Sequence, residues 1–121
     1  MFKFLAKVFE GSIGIETTYN QCDKAIDQLR AYNADPNEFK GQKKEQLDEI
    51  VNTAIASATK LVDMEGERHW PGVFREMHKN LATIYFEQGL VDKVERHCLK
   101  LTEYGEVGRI DSEEIREKLS D

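Results

Sequence analysis

Apolar residues recur along this chain in steps of three and four, and no stretch shows the strict alternation of a half-buried strand. The pattern predicts an all-α fold: a small antiparallel bundle of four main helices with a short helix at each end, forming one domain over residues 1–121. Ile15, Tyr19, Cys22, Ile26 and Leu29 line one side of a helix running from about Ser12 to Tyr32. Asp35-Pro36-Asn37-Glu38 then reads as a helix start, with an acid to cap, a proline at the first helical position and a carboxylate three residues after the cap. Gly41 interrupts the helix that this start opens. The clearest seam is Leu47, Val51, Ala54, Ala58, Leu61 and Glu65, widened by Ile50, Ile55 and Val62, on a helix from about Gln42 to Glu65. So wide a stripe requires two neighbours, not one coiled-coil partner. Ala54, Ala56, Ser57 and Ala58 permit a close helix approach, and Gly66 is placed to end the helix in the left-handed conformation.

Pro71 suits the first turn of the next helix, whose stripe is Phe74, Met77, Leu81, Ile84 and Tyr85 and whose stop is Gly89. Leu90, Val91, Val94, Cys98 and Leu101 mark another helix immediately after it, with Gly105 and Gly108 as its exit. Asp111-Ser112-Glu113-Glu114 repeats the cap-and-carboxylate pattern and opens a short last helix carrying Ile115 and Leu119.

Asn80 to Val94 resembles the first helix, turn and second-helix start of a tetratricopeptide repeat, with Leu81, Ala82, Tyr85 and Gly89 at the matching positions. The resemblance extends to Leu101. One repeat length upstream, Val51 and Ile55 stand where the tyrosine and glycine would recur, so it describes one repeat-like hairpin and not an array. It implies a partner-binding face formed by Glu76, Lys79, Thr83, Phe86 and Glu87, with Phe86 as the apolar anchor and Lys79 as the charge contact.

Charge narrows the choice of partner. The net charge is −6, the wrong sign for a protein that must neutralise a phosphate backbone, so nucleic acid is not expected. Most of the excess lies in Glu103–Asp121, where seven acids face only Arg109, Arg116 and Lys118. The two cysteines, Cys22 and Cys98, lack the spacing of a metal knuckle or redox pair and fit free thiols in a reducing cytoplasm. Lys7 and Glu10 break up the apolar start, which therefore does not read as a cleaved signal. Phe2, Leu5, Val8 and Phe9 nevertheless share a face beside Lys3 and Lys7, an amphipathic segment over residues 1–10 suited either to the bundle's open end or to an anionic membrane surface.

Conventional chemistry finds little purchase. His69, His78 and His97 form no HxxxH, HExxH or Glu-x-x-His spacing, and the reading of these residues is buried thiols and surface histidines, with no metal, cofactor or catalytic residue. Gly105 to Arg109 lacks the strand and Lys-Ser/Thr of a phosphate loop. The expected function is a non-enzymatic cytoplasmic interaction module that holds a peptide, a partner helix or another copy of itself in a shallow groove. The alternatives are a peripheral membrane protein anchored by residues 1–10, or a small acidic inhibitor that places Glu103–Asp121 on a basic partner.

Overall fold

The computed structural model describes the backbone of residues 2–34 and 44–120, and side chains from Gly14 to Ala34 and from Lys44 to Ser120. The fold is all-α: five helices, α1 (Phe2–Ala34), α2 (Lys44–Val62), α3 (Pro71–Glu87), α4 (Val91–Leu101) and α5 (Gly105–Ser120), with no strand among the described residues. No helix of the described chain is long and apolar enough to cross a membrane. The chain divides into two compact units, Met1–Ser57 and Ala58–Asp121, with the division inside α2.

In the first unit, the expected short N-terminal helix is not separate: α1 runs unbroken from Phe2. Gly11 and Gly14 each cost a helix only about 1 kcal/mol relative to alanine, and no proline is there to stop it. The side chains of the amphipathic segment over residues 1–10 lie outside the described residues, as do the Asp35 to Glu38 start and Gly41. Cys22, Ala25 and Ile26 of α1 are buried, as is Ala54 of α2. The Cys22 thiol lies 3.8 Å from the Ala54 carbonyl oxygen, a weak sulfur bond that small side chains make possible. The Thr18 and Ser57 hydroxyls donate back along their own helices, each at 2.6 Å, to the carbonyls of Gly14 and Thr53.

The second unit is built from the end of α2 and helices α3 to α5. Leu61, Phe74, Met77, Leu81, Ala82, Val94, Cys98, Leu101 and Ile115 are buried. Helix α4 packs against α3 and α5, and α3 also meets α5. Gly89, at φ 74°, ends α3: its N–H donates to the Phe86 carbonyl and that of Leu90 to the Tyr85 carbonyl, both at 3.0 Å. This pair of bonds satisfies the last carbonyls of α3 and reverses the chain into α4, as the glycine's position predicts.

Three punctuation marks fall elsewhere than expected. Gly66 does not adopt the left-handed conformation. Helix α2 instead ends at Val62 and leaves through tight turns in which Met64 and Glu65 donate to Leu61 and Val62. Gly108 is not part of an exit, because α5 already starts at Gly105 and Gly108 is buried inside it. Asp111 and Ser112 do not cap a short helix either; both are buried in the middle of α5. A tertiary demand explains Asp111, whose carboxylate takes Arg75 at 3.0 Å and Lys79 at 3.1 Å from α3.

Candidate functional site

The polar centre of the second unit is a chain of titratable side chains that runs from the turn after α2 into the α3–α4 hairpin. His78 occupies the core stripe of α3, four residues after Phe74 and three before Leu81, and is 1% exposed. On α4 the half-buried His97 stands three residues after Val94 and four before Leu101. These spacings bring the two imidazoles together at their edges, ring planes tilted by 43°, with their Nδ1 atoms 2.9 Å apart. His78 Nε2 bonds Glu65 Oε2. The other Glu65 oxygen takes Lys100 Nζ at 3.1 Å, and the Tyr104 hydroxyl donates to the same carboxylate. One acid thereby ties the 63–70 turn to α3, α4 and the α4–α5 turn.

This overturns the reading of surface histidines for His78 and largely for His97; only His69 is exposed. The burial of both thiols is as expected, and neither is joined in a disulfide. Periodicity carries the signal that betrays the two histidines: His78 and His97 fall on apolar stripes at helical spacing, and a histidine there is a core residue that needs a partner.

The proton positions follow from the geometry. An ionised Glu65 only accepts, so His78 Nε2 carries a hydrogen and donates it. Between the two Nδ1 atoms there is room for one proton, given by one ring and accepted by the other. Burial pushes the Glu65 carboxyl up, but hydrogen bonds from Tyr104, His78 and Lys100 outweigh it and hold the group below the usual carboxylate range. Burial pulls His97 down to about 4, and the nearby positive charge of His78, Arg96 and Lys93 adds to this against the opposing pull of Glu65. Burial and the negative Glu65 raise Tyr104, which stays a hydrogen-bond donor.

A stability slope follows. His97 binds its proton near 6.5 in the unfolded chain and near 4 in the folded one, so between those values the unfolded state holds more protons. Stability is then full above pH 6.5 and falls toward pH 4. With the partial exposure of His97 discounted, the loss is about 2 kcal/mol. His97→Gln should flatten this slope in denaturation midpoints measured across the window; an unchanged slope would remove His97 from the account.

Beside the network opens a cleft of about 440 Å³ whose walls include Glu65, Arg68, Trp70, Phe74, Arg75 and Tyr104. Trp70 leans on Phe74, with ring centroids 6.0 Å apart, and the Arg68 guanidinium lies 5.5 Å above the indole. No ion pair joins Arg68 to a described carboxylate. Glu65 is committed to His78 and Lys100, and Glu103 to Lys100 at 3.3 Å. Trp70 offers no side-chain cap to α3, and no acid stands in the helix's first turn, so the positive end of α3 is uncompensated at the cleft.

No protein-family model, curated protein or solved structure matches this chain.

The five residues of the expected binding face are spread along α3. Lys79 spans to Asp111 of α5, so its charge is already engaged, while Glu76 and Glu87 each have an interaction partner within the protein. Thr83 is exposed and its hydroxyl donates to the Lys79 carbonyl at 2.9 Å; Phe86 is half-buried. The face does not reach the 440 Å³ cleft, which sequence reasoning missed because Arg68, Trp70 and Tyr104 converge on it from two turns that carry no periodic signal. Among the described residues, no group of three or more His, Cys, Asp or Glu is arranged to hold a metal ion.

Proposed function

We propose that this chain is a non-enzymatic protein interaction module whose second unit grips a short acidic segment of a partner in the Trp70 cleft. The observation that carries this reading is the pairing, at one concave place, of a partly buried Trp70 and an Arg68 without a carboxylate partner among the described residues. Arginine and tryptophan are the side chains that most often dominate recognition energy, and the two acids of the cleft wall, Glu65 and Glu103, are both drawn to Lys100 and away from Arg68. The uncompensated start of α3 favours the same sign. An aliphatic or aromatic side chain would lie on the Trp70 ring while an adjacent carboxylate meets Arg68. The α3–α4 hairpin is of tetratricopeptide type in this proposal; buried Leu81 and Ala82, and Gly89 at the reversal, support it.

The test is titration of a synthetic peptide bearing a leucine or phenylalanine between glutamates, followed by calorimetry at neutral pH. Arg68→Ala and Trp70→Ala should each weaken binding about tenfold or more. Phe86→Ala, on the α3 face, should leave that affinity unchanged. Equal binding by all three variants would count against the cleft, and loss confined to Phe86→Ala would move the site to the α3 face.

A further inference from the structure

The carboxylate that organises the histidine pair is also a wall of the cleft, and this double placement has a consequence for how the cleft is held together. Glu65 belongs to the same turn as Arg68, His69 and Trp70, and its described side-chain anchors are His78 of α3, Lys100 of α4 and Tyr104 of the α4–α5 turn. Of these, His78 is the buried one, and its other nitrogen is spent on His97.

We propose that Glu65, His78 and His97 form an acid-released clamp: near neutral pH the chain of bonds holds the 63–70 turn, and with it the Trp70 wall, onto α3 and α4, and a hydrogen on both of the facing Nδ1 atoms at once releases it. Four ring nitrogens take part. His78 Nε2 donates to Glu65, and the two Nδ1 atoms share a single hydrogen across 2.9 Å. His97 Nε2 can be empty or occupied without disturbing either bond. When both rings are fully protonated, two N–H groups point at each other across a gap that holds one hydrogen, and the rings must part. His78 cannot then keep both its place against His97 and its bond to Glu65, since a turn of its ring away from His97 also draws Nε2 off the carboxylate.

The charges around the pair set the direction of this response. From α4, Arg96 and Lys93 repel a second positive charge on His97, and Lys93 also lies 5.0 Å above the Tyr85 ring, which stacks on His97 at 5.7 Å. From the 63–70 turn Glu65 attracts that charge, while Tyr104 contributes a hydroxyl donor and Glu103 pairs with Lys100 at the edge. From α3, Arg75 and Lys79 are occupied by Asp111 of α5, and the remaining described ion pairs of α5 involve Arg109 and Arg116. His69, on the turn itself, is exposed and bonds to none of these groups. Glu65 is thus the described carboxylate that meets the histidine pair, and it is the group whose release frees the turn.

The inference deepens the recognition reading by supplying its regulation, but its test uses the protein alone, so it stands or falls whether or not an acidic peptide binds. Trp70 is the single tryptophan of the chain, and its emission reports on the wall directly. In a His69→Gln background, which removes the other imidazole near the indole, emission and far-UV dichroism are followed together as the pH falls from neutral. The clamp requires the Trp70 signal to change between pH 6.5 and about 4 while helicity is retained, and requires His97→Gln to abolish that change. A Trp70 transition that survives in His97→Gln, coincides with loss of helicity, or is missing from the parent overturns the proposal. Should His97→Gln fail to fold, Glu65→Ala removes the acceptor of the same bond at fixed pH: its Trp70 emission at neutral pH must match that of the acidified parent, and a match to the neutral parent overturns the clamp.

Discussion

Phe74→Ala is expected to destabilise the second unit by about 4 kcal/mol, measured as a shift in chemical-denaturation midpoint at constant slope. The ring is 2% exposed, among the most enclosed large side chains of the fold. Its removal leaves a cavity between elements that cannot all collapse, because the Arg75–Asp111 pair one residue along fixes α3 against α5. The same deletion takes away the surface on which Trp70 leans, so its emission should shift toward that of a solvated indole even where the variant remains folded. A cost below about 1 kcal/mol would mean that the ring is not part of a packed core.

Gly108→Ala should cost about 3 kcal/mol, an unusual penalty for adding one methyl group to a helix. A β-carbon there would overlap the Leu101 carbonyl oxygen and stand 3.0 Å from Tyr104 Cβ. Since the obstructing atom is backbone, it cannot swing aside, and relief requires α5 to back away from the end of α4. Gly72→Ala makes the control: nothing lies within 4 Å of its β-position, and alanine there should be neutral or stabilising by up to about 1 kcal/mol. Similar costs at both glycines would show that helix propensity, and not the α4–α5 contact, sets the effect.

Gly108 also shows where reading the chain by local rules stops. Glycine near a helix end suggests a stop, and at Gly89 the suggestion is right because the turn needs a positive φ. At Gly108 the backbone is ordinary helix, and glycine serves a close approach that only the folded neighbour reveals. Asp111 follows the same logic: an acid before Ser-Glu-Glu fits an N-cap, yet Arg75 and Lys79, far away in sequence, claim its carboxylate. Helical class, the α3 stripe, the Val94, Cys98 and Leu101 part of the α4 stripe and the buried thiols were legible because each depends on residues three or four apart, whereas Leu90 and Val91, expected on the same stripe, are exposed at the start of α4. The continuity of α1 through Gly11 and Gly14 was not, since propensity alone is too weak to decide it.

The site was less legible than the fold. His78 and His97 are visible on their stripes, where helical spacing marks them as core residues in search of partners. Their association with Glu65, Lys100 and Tyr104 joins one helical stripe to two turns, and pattern does not register turns. The Trp70 cleft is wholly a product of that convergence.

Each compact unit encloses one sulfhydryl, Cys22 in the first and Cys98 in the second, and neither presents any surface to solvent. Burial also raises the Cys98 group's pKa, so little of it is in the nucleophilic thiolate form. An alkylating reagent therefore reaches either sulfur only through a transient breach of its own surroundings, and the chain carries two built-in clocks, one timing the breathing of each half.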